Sequence, residues 1–132
     1  MHYIRKDASG IVVTDGTATK RLACSLRGYL DALLLAELTT FEGRMAALRK
    51  TTGMQRNLPI YIDETVCFYT TKSLREPDVV CINFHRVLSI RDKRSSAEVI
   101  FKDLSILRLD MPYRKLAHRH AKTACFLKEI ES

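Results

Sequence analysis

Hydrophobic positions along the chain repeat first with a period of two, then with a helical period, then with two again, and end on a helical period. His2 to Arg5 and Ile11 to Thr14, parted by Ser9-Gly10, read as a hairpin, and Asp15-Gly16 turns the chain into a returning strand from Thr17 to Leu22. Ser25 suits a helix N-cap, with Leu26, Tyr29, Leu30, Leu33, Leu34 and Leu38 on one helical face. Thr39-Thr40-Phe41-Glu42 has capping-box spacing, in which the Thr hydroxyl and Glu carboxylate each accept a free backbone N–H. A second helix is predicted from there, with Phe41, Met45 and Leu48 inward and Gly53 as its stop. The region from Ser25 to Thr52 is thus one bent helix or a helical hairpin.

The second half begins with strands. Leu58 to Ile62, with Pro59 at an edge position, and Thr65 to Thr71 form a hairpin around Asp63-Glu64. Val79 to Ile90 is the longest strand candidate. Val80, Ile82, Phe84, Val87 and Leu88 share one of its faces only if a bulge lies near His85-Arg86. Arg91 to Ser96 reads as a charged hairpin loop. Ala97 to Lys102 and Ser105 to Leu109 complete a meander, joined tightly at Lys102-Asp103. Asp110-Met111-Pro112 opens the last helix, with Asp110 as N-cap and Pro112 in the first turn. Tyr113, Leu116, Ala117, Ala121, Ala124 and Leu127 are its inward stripe; Lys115, His118, Arg119 and Lys122, with Arg114 beside them, are its outward one. The expected architecture is α+β: a mainly antiparallel sheet, hairpin plus meander, with an inserted helical segment and a C-terminal helix.

Length and composition fit this picture. At 132 residues, 46% of them hydrophobic and 28% charged, the chain reads as one globular domain over residues 1–132. Its longest apolar stretch, Leu30 to Leu38, is broken by Asp31 and Glu37, so no membrane span is expected. The N-terminus lacks the apolar segment and cleavage site of a secretory signal, which predicts a cytoplasmic protein. Cys24, Cys67, Cys81 and Cys125 form no C-x-x-C pair and argue against a metal site; Cys67 and Cys81 sit in strand-like runs as small buried hydrophobes.

Charge changes the picture more. The net charge is +7, split into +2 up to Val66 (nine Lys/Arg, seven Asp/Glu) and +5 beyond it (thirteen, eight). Net charge alone favours only polyanions in general, so clustering decides. Three clusters emerge. Arg114, Lys115, Arg119 and Lys122, with His118, lie on the last helix, where several cations at helical spacing can meet one phosphate backbone. Arg86, Arg91, Lys93 and Arg94 surround the predicted hairpin tip, and Arg44, Arg49, Lys50 and Arg56 span the second helix and the loop after it. Each cluster singly also reads as a solvated surface, and cations near a helix C-terminus suit its dipole. Catalysis is not expected: no nucleotide-binding glycine loop, H-E-x-x-H or G-x-S-x-G occurs. His118 and His120 lie about 200° apart on a helix, and Asp63 and Glu64 read as turn residues rather than an acid/base pair.

Thr40-Phe41-Glu42-Gly43-Arg44, then Arg49-Lys50, Leu58-Pro59-Ile60, Phe68-Tyr69-Thr70-Thr71, Cys81-Ile82-Asn83-Phe84, Val99-Ile100-Phe101 and Leu107-Arg108-Leu109-Asp110 follow one another in an order that resembles the competence transcription factor (ComK) family. The resemblance covers roughly two-thirds of the chain, from Thr39 to the last helix, and rests on order and spacing rather than any single motif. It implies a bacterial activator of DNA-uptake genes that binds AT-rich promoter boxes as an oligomer, largely through the minor groove, with a proteolytic adaptor as a further partner. Gly43 would then allow close backbone approach, and Arg44 and Lys50 become candidates for phosphate or groove contact, since narrow A-tract grooves concentrate negative potential. The leucine-rich Tyr29 to Leu38 stretch is a candidate dimerisation helix. The leading expectation is therefore a double-stranded DNA-binding regulator, dimeric or higher, without cofactor or metal. The alternative is a non-catalytic protein- or lipid-headgroup-binding module on the same sheet-plus-helix scaffold.

Overall fold

The computed structural model describes residues Met1 to Glu131. Three strands open it: β1 (Tyr3–Asp7), β2 (Gly10–Asp15) and β3 (Ala18–Leu22). Gly10 is required at the first turn: its φ is 156°, and a Cβ there would stand 2.1 Å from the Leu22 carbonyl oxygen. Two helices follow, α1 (Leu26–Leu35) and α2 (Phe41–Thr52), then β4 (Ile60–Asp63), β5 (Val66–Thr70) and β6 (Val80–Asn83). β1 pairs antiparallel with β6, so the N-terminal meander and β4–β6 join as one six-stranded sheet in the order β3-β2-β1-β6-β5-β4. A 3₁₀ turn, Phe84–Arg86, leads into β7 (Val87–Lys93), β8 (Ser96–Phe101) and β9 (Ile106–Leu109), which form a separate three-stranded sheet, and α3 (Tyr113–Glu131) ends the chain.

Strand alternation builds the layers. On β1 and β6, Ile4 and Cys81 join a core with Leu26, Leu30 and Leu34 of α1 and Met45 and Leu48 of α2. Their neighbours Val80 and Ile82 point the other way and pack with Val99, Phe101, Leu107 and Leu109 of the smaller sheet. The larger sheet is thus the middle layer, with helices on one face and the three-stranded sheet on the other. At 1.5 Å per residue α3 is about 28 Å long, enough to reach both cores. Leu116 near its start belongs to the second, and Phe126 and Leu127 near its end to the first.

The α+β architecture and nearly all predicted elements match, and the differences have local causes. Val79 to Ile90 is not one bulged strand: the chain breaks in the 3₁₀ turn at the foreseen place and changes sheets. The charged segment Arg91 to Ser96 is mostly strand, with only Arg94 and Ser95 in the turn. Leu38 is not on the inward stripe; α1 has already ended, φ at Leu38 is 60°, and its side chain is 93% exposed. The cap of α2 is Thr40, whose hydroxyl accepts the Gly43 N–H at 3.0 Å, while Glu42 pairs with Arg27 instead of reaching back. Gly53 ends α2 as expected, at φ 75° with its N–H on the Arg49 carbonyl. α3 starts at Tyr113, with the Pro112 carbonyl accepting the Leu116 N–H, so Asp110 lies ahead of the cap position. On α3, Ala121 is exposed and Thr123 and Phe126 are buried, because the inward stripe follows 116, 123, 126 and 127.

Polar ties hold the corner where the chain changes sheets. Asn83, 1% exposed, accepts the Cys67 N–H at 3.2 Å and the His85 N–H at 3.3 Å, and donates to the Met1 and Thr65 carbonyls at 3.0 and 3.3 Å. Nearby, buried His2 spans the layers, its ring nitrogens 2.9 Å from Asp15 and 3.1 Å from Asp103 in the β8–β9 turn. Cys67 and Cys81 are buried, as predicted, and burial pushes both thiols up to about 12.

Removing the Asn83 amide leaves one buried and three part-buried backbone groups without this partner. Asn83→Ala is expected to lower unfolding free energy by about 2–3 kcal/mol, read as a drop in urea midpoint at unchanged m-value; a loss below about 0.5 kcal/mol would contradict its role as the corner tie. The two Ser105 donors (hydroxyl and backbone N–H), and then His2, hold the Asp103 carboxyl down at about 2. A depressed carboxylate stabilises the fold above its ordinary value of 3.8, and that contribution is lost as pH falls through about 2. Asp103→Asn should therefore flatten the stability–pH curve in that window; curves of identical slope for the two proteins would refute the assignment.

Candidate nucleic-acid interface

Register across the smaller sheet sorts its side chains. Ala97, Val99, Phe101, Leu107 and Leu109 face the larger sheet, so Glu98 and Arg108 face away from it. Arg91 pairs with Glu98 and Glu98 with Arg108, giving one outward row across three strands, and Lys93 lies one step along β7 on the same face. Glu98 is only 4% exposed despite facing outward. Its carboxylate takes the Arg108 Nε–H at 2.9 Å and stands 3.7 Å from Lys93 Nζ. One carboxylate thus holds a fan of cations that outnumber it. Arg94 extends the fan at the turn, in the left-handed region at φ 60°, where a non-glycine residue is strained. Arg86 is exposed at the end of the 3₁₀ turn, 3.7 Å from Asp15.

The sequence clusters on the helices divide differently. Arg49 and Lys50 are exposed on the last turn of α2, at its negative dipole end, and Arg56 is exposed in the loop beyond. Arg44 is half-buried, 5.7 Å over the Tyr61 ring in a cleft shared with Glu37, Asp63 and Glu64. The room left by Gly43 is taken up locally, since a Cβ there would lie 3.1 Å from the Thr40 hydroxyl that caps the helix. On α3, Arg114, Lys115 and His118 are exposed, whereas Arg119 and Lys122 are only partly so and bond to the protein. Arg119 donates to the Thr70 carbonyl at 2.8 Å, and burial lowers its pKa. Lys122 donates to the Arg56 carbonyl at 3.4 Å. Between them His120 faces inward, stacked on Phe84 at 4.6 Å with Nδ1 3.1 Å from the Tyr69 hydroxyl, and burial lowers its pKa as well. The predicted helix stripe is therefore two groups: cations in solvent at its start and cations bonded to the protein further on.

Sequence reasoning missed Arg108. It stands in an alternating apolar strand, and nothing in its own neighbourhood signals that register sets it beside Arg91. Among the described residues no three His, Cys, Asp or Glu side chains assemble as a metal site. No described helix is long and apolar enough to cross a membrane, which says nothing of strands.

Because Arg119 bonds a backbone carbonyl of β5, Arg119→Gln should cost about 1–2 kcal/mol of stability. The salt dependence of any polyanion binding should stay unchanged. Undiminished stability together with a shallower salt slope would reverse that assignment.

Residues 31–132 match the family model described as ComK protein. No curated protein and no solved structure matches the chain. The match begins within α1 and takes in α2, the strands from β4 onward, the whole smaller sheet and α3. It thus includes the Arg91–Glu98–Arg108 row and the bridging helix. With its matched segment covering well over half of its length, this chain belongs to the ComK protein family, whose kind of role is that of a competence transcription factor rather than of an enzyme.

Proposed function

We propose that this chain, as one domain over residues 1–132, is a DNA-binding transcriptional regulator of the cytoplasm that contacts AT-rich promoter DNA through basic residues, as a dimer or higher oligomer. The observation that carries this reading is the cation fan on the outward face of the smaller sheet. Arg91 and Lys93 are two residues apart on one strand, about 6.8 Å, which equals the rise along the helix axis of two phosphates of one DNA strand, at about 3.4 Å each. Glu98 fixes Lys93 beside Arg108, so little freedom of those two side chains is lost on binding. A basic β-ribbon is also a known kind of groove reader, and inserted Arg or Lys side chains suit the negative potential of narrow AT-rich grooves. Arg49, Lys50, Arg56, Arg86, Arg114 and Lys115 are exposed and add general attraction for the polyanion. Arg44, Arg119 and Lys122 contribute through the fold more than through contact. Oligomerisation draws support from Leu35 and Leu38, 68% and 93% exposed at the α1–α2 turn. A proteolytic adaptor is a partner implied by the family alone.

Anisotropy titrations of AT-rich duplex over a salt series test the reading, with GC-rich competitor as the second arm. Log K should fall linearly with log salt. Replacing Arg91, Lys93 and Arg94 together by Gln should reduce that slope by about 2.7, at roughly 0.9 per lost phosphate contact. A flat plot for the native chain would end the DNA reading, and retention on anionic vesicles without duplex binding would favour headgroup recognition instead.

A further inference from the structure

A cleft of about 470 Å³ opens at the seam between the two sheets, between β1, β9 and the segment leading into β6. Val80, Leu109 and Met111, all buried, form its floor, while Arg5, Lys6, Lys72 and Arg108 supply four cations around it. Two of these are held locally: Lys6 donates to the Leu74 carbonyl, and Lys72 pairs with Asp78. Asp110 is the other lining carboxylate. Arg5 and Arg108 are different. They come from separate sheets, yet the Arg5 guanidinium donates to the Arg108 backbone carbonyl at 3.4 Å and lies 5.6 Å from the Tyr3 ring centre, meeting no carboxylate among the described residues. Glu98 takes only the Nε–H of Arg108, whose side chain remains 83% exposed. The Arg108 backbone thus holds the Arg5 guanidinium at the mouth of the cleft without a carboxylate to neutralise it, which favours an anion in the space. Planar Arg donors suit the oxygens of a phosphate.

Arg108 belongs to this cleft and to the Arg91–Glu98–Arg108 row alike. Across the sheet the row spans two strand spacings, about 9.6 Å, so cations continue from the β7 edge to the seam. We propose that the Arg5–Arg108 cleft takes a phosphate of the DNA backbone, so that bound duplex runs from the β7–β8 face across β9 onto the larger sheet. This inference rests on the DNA-binding reading above and adds to it a site outside the matched family segment, since Arg5 precedes residue 31.

Anisotropy with an AT-rich duplex over a salt series, using the full chain, tests it. Arg5→Gln with Arg108→Gln should weaken binding about tenfold or more at 0.1 M salt and cut the slope by about 1.8. Because Arg108 also pairs with buried Glu98, Arg5→Gln alone serves as the variant that touches no buried carboxylate; it should cut the slope by about 0.9. Lys20→Gln with Lys128→Gln removes equal charge from exposed positions outside the cleft and should leave the slope near the native value. Native salt-dependent binding with unchanged slopes in both Arg5 variants overturns the cleft while leaving the DNA reading intact. A slope that falls as much in the Lys20–Lys128 control overturns it too, since net charge would then be the cause. Absence of duplex binding by the native chain overturns the reading and the cleft together.

Discussion

The chain has to leave a six-stranded sheet and begin a three-stranded one within a single 3₁₀ turn, and Asn83 makes that corner possible. A corner at the junction of two sheets takes backbone groups partly out of water, and each group left unpaired there costs energy. One amide side chain answers several of them at once, on β5, on the N-terminal residue and on the turn itself. An apolar side chain of the same volume fills the space and leaves those groups unpaired. The orientation of the smaller sheet, and with it the direction in which its cations face, therefore descends from a neutral residue that touches no ligand.

The second constraint is α3, which bolts both cores with one helix. Its inward stripe has to satisfy two apolar surfaces and the polar strand ends between them. Leu116 and Phe126 meet the surfaces, and Arg119 and His120 meet the β5 end, where the Thr70 carbonyl and the Tyr69 hydroxyl need partners. This explains why cations at helical spacing do not form one electrostatic face. A guanidinium is amphipathic enough to lie along an apolar wall while bonding a carbonyl at its end. Charge counted along a helix thus overstates the charge offered to a partner.

Legibility in the sequence followed the range of the interactions involved. Turn glycines, the Ser25 cap, the Gly53 stop and the period of each element are set within four or five residues, and those were readable. The strand break at His85-Arg86 was readable as a conflict of faces, since Val80, Ile82 and Val87 cannot share a side without an interruption. That the break changes sheets was not, because β1 pairing with β6 and α3 covering both cores are contacts between distant parts of the chain. Leu38 misled for a related reason: it continues the spacing of α1 after the helix has stopped. For the site, the hairpin tip cations were legible as a local run. Arg108 and Arg5 were hidden, each placed by register against residues far away in sequence.

Glu98 shows why the outward face is more than a sum of cations. On the proposed phosphate-binding surface a carboxylate lowers the net attraction, and its nearly complete burial adds a desolvation cost. What it provides is position. Two long, flexible side chains, those of Lys93 and Arg108, converge on one small anchor, so their charged ends are ordered before a polyanion arrives. The same division recurs at Arg94, where a strained left-handed residue occupies a turn that glycine or asparagine fills at lower cost. Local stability is given up there to keep a charge at the tip. A face that only needed solubility would require neither the buried carboxylate nor the strained turn. Both make physical sense if, as proposed, the surface holds its cations ready for a regularly spaced anionic backbone.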